Sequence, residues 1–382
     1  METLLKSAKN GFFRLLEVSL AVGRPRRRKE LAIFKADGIG DFVLSSEAIR
    51  HIVSFHGAEN VSLILTDGLE GLARDLFGDV EVLPIVPGNA SWKQKILGLP
   101  KLRSAIQANT YNQIVCLRHY RTRYEDTILC AFYAKKIILL PNQSKSVANS
   151  RLESDIPSNF QIVQATPTGD QEHGGKVPRE WSFHAAVLCE ALKRPVSTSS
   201  LRPNWDALVI PRNTIDRFLL IAPLAGSRIR NLPLPLVEAA ARKAANRGLH
   251  RVILTGSRAQ GNELGFYAQA VRRALPDCRV EVAHPAGLSA FVGLVAKAGL
   301  VLTAESSGAH IAAALDKPVM VLIGGGHYGW FAPWRRSAKQ VWLTRKLPCF
   351  DCNWRCPYPE PFCLTKISAA EVKAALPSAR QS

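Results

Sequence analysis

At 382 residues the chain exceeds the roughly 250–300 residues at which single hydrophobic cores stop growing, so two domains are expected. Hydrophobic residues make up 47% and charged residues 21%, a balance that excludes a disordered or fibrous chain. The net charge of +19 points to an anionic partner, whether nucleic acid, acidic membrane or phosphorylated small molecule, and no apolar run of about 18 residues is present to span a bilayer.

Residues 1–22 resemble a signal peptide only superficially, because Lys6, Lys9, Arg14 and Glu17 interrupt the apolar stretch. An amphipathic helix fits better, with Leu5, Phe12, Leu15 and Leu16 on one face and the basic run Arg24, Arg26, Arg27, Arg28 and Lys29 beyond it. That pattern suits an interfacial membrane anchor. It equally suits a helix packed on the protein body followed by a solvated charge run.

From Leu31 to Lys35 the chain reads as a short buried strand, and Ala36-Asp37-Gly38-Ile39-Gly40-Asp41 as the turn into a helix whose apolar positions include Phe42, Val43, Ile49 and Ile52. The Gly38-x-Gly40 pair lacks the third glycine of a dinucleotide fingerprint, so no cofactor is expected there. Asp41 stands at the helix entry, as an N-terminal cap or as a general base for an acceptor hydroxyl. Further strands are expected at Val61–Thr66, Val80–Val86, Ile114–Leu117 and Lys136–Leu140, with a helix around Leu69–Phe77; the alternation predicts a parallel sheet. The run Arg118 to Arg123 follows a strand end, where Arg118 and Arg121 would grip an anionic substrate or form a solvated face. Residues 141–178 read as a long polar loop, and Trp181–Leu192 as a helix.

The second half repeats the pattern. Phe218–Ala222 is a buried strand followed by the loop containing Ser227, Arg228 and Arg230; Leu236–Arg247 is a helix; Arg251–Thr255 is a strand ending at Gly256. Arg279–Val282 is a third strand. Leu300–Thr303 is the fourth, followed by Glu305-Ser306-Ser307-Gly308, the Ala-rich helix carrying His310, and the strand Val319–Ile323. In open α/β sheets ligands collect at such carboxyl ends, where helix N-termini offer N–H groups to anions. Glu305 is placed to bind a ribose diol, Ser306 and Ser307 to lie near phosphate or simply to cap the helix, and Arg228 and Arg230 to neutralise a diphosphate. Four of the eight cysteines, Cys349, Cys352, Cys356 and Cys363, fall close together near the C-terminus. Their spacing is compatible with a structural zinc site, with free thiols as the alternative.

Taken together, these residues resemble glycosyltransferase family 9, the lipopolysaccharide heptosyltransferase family. The resemblance runs from about Leu31 to Leu376 and rests on Lys35–Asp41, on Glu305–Leu315 with Lys317-Pro318, and on the Cys349–Cys363 stretch ending in Ile367–Val372. It implies an α/β GT-B fold, two Rossmann-like doubly wound domains facing each other across a cleft, without a catalytic metal. The expected parts are an N-terminal segment 1–30, an acceptor-side domain 31–205, a donor domain 206–345 and a Cys-rich tail 346–382.

Asp41 matches the family's general base, and Arg230 sits where the family has a lysine on the donor diphosphate. The late motif of the family reads Asp-Ser/Thr-Gly-x-x-His; here Glu305 replaces the aspartate, Ser307 stands at the glycine position with Gly308 one place later, and His310 matches. The resemblance implies inverting transfer of heptose or a related sugar from a nucleoside-diphosphate donor to an anionic lipid-linked saccharide. Ser227, Arg228, Arg230, Gly256, Glu305, Ser306, Ser307, Gly308 and His310 would serve the donor, and Gly38, Gly40, Arg118 and Arg121 the acceptor. A cytoplasmic protein, peripheral on the inner membrane face, is expected, with no nucleic-acid partner. The alternatives are a GT-B transferase using a UDP- or GDP-sugar for another surface glycan, and a catalytically silent scaffold that binds nucleotide or glycan.

Overall fold

Short apolar runs bounded by glycine or polar turns become parallel strands throughout the chain. The computed structural model describes Phe13, Leu16, Ser19 and Leu20 near the N-terminus, and residues 27–142, 157–165, 178–208 and 218–379. These fall into two compact units, one built within Met1–Gly38, Ser45–Pro167 and Ser182–Leu201, the other within Ile39–Leu44, Thr168–Trp181 and Arg202–Ser382.

In the first unit, β1 (Arg28–Lys35), β2 (Val61–Thr66), β3 (Glu81–Ile85), β4 (Thr110–Cys116), β5 (Ala134–Leu139) and β6 (Phe160–Ile162) form one parallel sheet of order β3-β2-β1-β4-β5-β6. Helices α1 (Ile39–His56), α2 (Glu70–Phe77), α3 (Trp92–Leu97), α4 (Leu99–Ala108), α5 (Arg123–Ala131) and α6 (Arg179–Leu192) lie along the chain between and after these strands, with α1 up to Leu44 and α6 up to Trp181 counted in the second unit. The inner strands are buried on both faces, which is why Leu31, Ala32, Ile33 and Phe34 show no alternation. Phe13, Leu16 and Leu20 join the same core as Phe34, Ile114 and Ile128. The described part of the N-terminal segment therefore turns its apolar side to the protein, while Leu5, Phe12, Leu15, Arg24 and Arg26 lie outside the described residues.

One expectation is refined and one corrected. Arg28 and Lys29, from the basic run, begin β1 and pair with Thr110 and Tyr111 of β4, with Arg28 exposed and Lys29 half-buried. The polar loop of 141–178 contains β6, which pairs with β5 at Ile137, Ile138 and Leu139; residues 143–156 and 166–177 of that loop lie outside the described residues.

The second unit holds β7 (Phe218–Ala222), β8 (Arg251–Thr255), β9 (Arg279–Ala283), β10 (Leu300–Ala304), β11 (Val319–Leu322) and β12 (Gln340–Leu343), parallel in the order β12-β11-β10-β7-β8-β9. Its helices are α7 (Leu234–Ala245), α8 (Gly261–Ala274), α9 (Leu288–Lys297), α10 (Ser307–Ala314), α11 (Phe362–Thr365) and α12 (Ala369–Ala375). The C-terminal stretch belongs to this unit's core, where Cys363, Leu364, Ile367, Val372 and Leu376 pack with Val237 and Leu322. Each sheet has the doubly wound order in which the chain reverses direction between its first and fourth strands. No helix among the described residues is long and apolar enough to cross a membrane.

Candidate active site

The reversal points are where a doubly wound sheet offers a crevice, at the carboxyl ends of β1 and β4 in one unit and of β7 and β10 in the other. The first is occupied by its own side chains. Arg118, following β4, pairs with Asp37, following β1, and donates to Ala36 O at 2.9 Å. Its Nε also lies 3.1 Å from the buried Glu125, and the fully buried Lys35 donates to Leu117 O at 3.2 Å and pairs with Asp37 at 3.3 Å. Arg121 is buried against Asp126 at 2.7 Å and donates to Arg118 O and Leu140 O. The expected acceptor-gripping pair thus holds the β4–α5 turn instead, because each guanidinium meets an acid and carbonyls of its own unit.

The second reversal point is arranged differently. After β7 the chain makes one 3-10 turn, Arg228–Arg230, and Arg230 Nη1 approaches the backbone oxygen of Glu305 at 3.4 Å, joining the two strand ends. Glu305 is only 5% exposed, and its Oε2 has no hydrogen-bond partner among the described residues. Burial pushes its pKa up to about 7, against the opposing influence of Arg230 and a hydrogen bond from the Gly324 amide. A carboxyl poised near neutrality is suited to binding a polar ligand group or holding a proton.

Ser306 occupies the N-cap position of α10 with extended backbone, yet its side chain makes no cap hydrogen bond; its hydroxyl lies 3.4 Å from Thr303 Oγ1. The capping role weighed for it is therefore not taken, and Ser307 begins the helix. A Cβ on Gly308 would meet Thr303 and Phe291 at 3.2 and 3.4 Å. Arg228, by contrast, is turned outward, 87% exposed and paired with Glu263 at 2.6 Å. Gly256 ends β8 against Leu264, and its carbonyl is bonded to His284 Nδ1 at 3.1 Å. Ser227 precedes the 3-10 turn and, like Ser306, gives no side-chain cap.

His310 is buried on α10. Trp334 Nε1–H donates to its Nδ1 at 3.0 Å, which places the imidazole proton on Nε2. Burial, reinforced by Arg230, lowers its pKa to about 4, so the ring is neutral at physiological pH. A Cβ on Gly40 would lie 3.2 Å from His310 Cδ2 and 3.8 Å from Ser307 Cα. The second unit thus includes the first turn of α1, with Asp41 as its third residue, against the helix that follows Glu305. Gly38, not Asp41, is the N-cap of α1.

The model of glycosyltransferase family 9 (heptosyltransferase) matches residues 186–357. Over that stretch, less than half of the chain, the sequence is similar to glycosyltransferase family 9. Solved structures share the architecture. Escherichia coli heptosyltransferase WaaC with ADP is 14% identical with a TM-score of 0.63, the alignment covering 90% of this chain and 98% of that one. For E. coli ADP-heptose lipopolysaccharide heptosyltransferase II the values are 14%, 0.62, 91% and 97%. The iron-containing dodecameric glycosyltransferase TibC of enterotoxigenic E. coli gives 13%, 0.50, 92% and 76%. At these identities the likeness shows the fold, which is GT-B. No curated protein sequence matches the chain.

Two tryptophans that sequence reasoning passed over complete the candidate site. Trp334 fixes the His310 tautomer and stacks on it with ring centroids 6.1 Å apart. Trp354 lies against Gly324 and Gly326, at the carboxyl end of β11, with Arg230 5.8 Å from its ring. Its turn is costly: Asp351, Asn353 and Trp354 have φ of 69°, 49° and 60°, held by Asp351 N–H to Gly325 O at 2.8 Å and Asn353 N–H to Gly326 O at 3.0 Å. The cysteine spacing around Trp354 was the available signal that this turn is constrained.

The four cysteines themselves are free thiols. Burial raises the pKa of Cys363, and Cys356, Cys349 and Cys352 add to that rise, so the thiols are neighbours. Among the described residues, however, no three His, Cys, Asp or Glu side chains are grouped closely enough to hold a metal ion.

Proposed function

We propose that the chain is an inverting glycosyltransferase that moves heptose or a related sugar from a nucleoside-diphosphate donor to an anionic, lipopolysaccharide-type saccharide. The observation that carries this reading is the packing of Gly40 on His310 and Ser307, which puts Asp41 beside the helix that follows Glu305. A general base and an anion-binding strand end are then neighbours within one unit.

In this reading Glu305 binds the ribose hydroxyls of the donor. Arg230, the amides at the start of α10 and the helix dipole meet the diphosphate. Asp41 takes the proton of the acceptor hydroxyl as its oxygen attacks the anomeric carbon from the face opposite the diphosphate. The bond to the diphosphate oxygen breaks, and configuration inverts. Developing negative charge on the leaving group is met by Arg230 and the amides, so the reading requires no metal. Neutral His310, with its proton on Nε2, would add a hydrogen-bond donor beside the same helix turn.

ADP is the first nucleotide to test, since the solved structures named above include a heptosyltransferase with ADP. The Asp-to-Glu change at position 305 keeps UDP- and GDP-sugars in view as alternatives. A thermal-shift panel with ADP, UDP, GDP and CDP should show one selective stabilisation, because a ligand that binds only the folded state raises its apparent stability. Asp41→Asn should then retain that shift while losing about 100-fold or more in turnover. No shift with any nucleotide, or undiminished turnover in the variant, would defeat the proposal.

A further inference from the structure

The second unit contains a cavity of about 940 Å³ alongside β12 that involves none of Arg230, Gly256, Glu305 or Ser306. Aromatic rings of Trp181, Tyr328, Trp334, Trp342 and Phe350 form part of its wall. Arg179, Arg202, Arg335, Arg336 and Lys346 supply cations.

Two of these cations are already answered by acids: Arg336 is bidentate with Asp206, at 3.0 and 2.6 Å, and Arg179 lies 3.6 Å from Asp351. Arg202, Arg335 and Lys346 have no acid partner among the described residues, so the lining keeps an excess of positive charge. It is also short of hydrogen-bond acceptors. Arg202 Nε, Ser337 Oγ, Trp342 Nε1 and Thr344 Oγ1 are all buried without a partner among the described residues. Such groups are rarely left unanswered in a folded protein.

We propose that this cavity is a second binding site, for an anionic saccharide unit bearing phosphate or carboxylate. Flat aromatic faces receive the apolar C–H side of a sugar ring, and the unpaired guanidinium and ammonium groups receive its anionic substituent. The site would be separate from the donor pocket and joined to it through Trp334, which lines the cavity and holds His310.

The test uses the full chain and hexose 6-phosphate as probe, followed by tryptophan fluorescence and calorimetry. Saturable binding is expected, at least about tenfold weaker for the neutral hexose and for inorganic phosphate alone, since each lacks half of the recognition. The double variant R335E/K346E should weaken hexose 6-phosphate at least about tenfold and leave ADP affinity unchanged. Absence of saturable binding would overturn the proposal, as would equal binding of inorganic phosphate or an unaltered R335E/K346E isotherm. A delipidated phosphorylated oligosaccharide distinguishes the sources: tighter binding than the monomer assigns the site to a glycan chain, equal binding to a free sugar phosphate. Loss of nucleotide binding with sugar-phosphate binding intact would remove the transferase reading and leave this one standing.

Discussion

Replacing Glu305 with glutamine should change how the stability of the second unit depends on pH. Burial raises the carboxyl from its ordinary 4.5 to about 7. Between those values the native protein holds a proton that the unfolded chain has released, so Glu305 is best tolerated below pH 4.5 and its contribution declines as pH rises through 7. At about 1.4 kcal/mol per pH unit the full loss is about 3 kcal/mol. His310 acts with the opposite sign. Its pKa is lowered from 6.5 to about 4, so its contribution is complete above 6.5 and is lost as pH falls through 4. Because the two windows overlap, the wild-type profile alone conceals both, and the variant must be compared with wild type at each pH. Urea unfolding followed by tryptophan fluorescence suits the purpose, since six of the seven tryptophans belong to the second unit. Glu305→Gln should gain about 3 kcal/mol relative to wild type between about pH 5 and about pH 8. A difference that stays flat across that range would refute the buried, proton-holding carboxyl.

Trp334→Phe removes the donor to His310 Nδ1 and leaves a buried acceptor unpaired, which should cost about 1–3 kcal/mol in the same unfolding assay. Gly326→Ala would drive a methyl group into the Trp354 indole and should destabilise by about 1–3 kcal/mol. Gly293→Ala is its control, because nothing stands within 4 Å of the added carbon in the interior of α9; it should stabilise by about 0.5–1 kcal/mol. Calorimetric titration with nucleoside diphosphate should separate the two arginines: Arg230→Ala weakens binding about tenfold or more, whereas Arg228→Ala, exposed and held by Glu263, changes it little.

The inner strands were legible because burial on both faces turns them into continuous apolar runs, as in Leu219–Ala222 and Val319–Leu322. The edge strands β3 and β9 were legible as well, but the edge strands β6 and β12 were not. Phe160–Ile162 is half-buried and only three residues long, and Gln340–Leu343 opens with glutamine and is half-buried beyond it, so neither carries a strand signature. Two helices could have been placed by their capping boxes, Ser91 with Gln94 and Thr122 with Glu125. The second would have shown Arg118–Thr122 to be a structured helix entry rather than a loose basic patch. In the candidate site, Glu305 and Arg230 could be found from strand-end position alone. Trp334 and Trp354 reach His310 and Arg230 from distant sequence, a juxtaposition that only the folded sheet provides.

The ion pair between Arg118 and Asp37 also bears on stoichiometry. Had each of the two similarly wound sheets received a nucleotide, a chain with this internal repetition would titrate with two equivalents. Here the first sheet's reversal point is filled by Arg118, Asp37 and Lys35, which satisfy one another. Nucleotide titration should accordingly reach its end point at one molecule per chain.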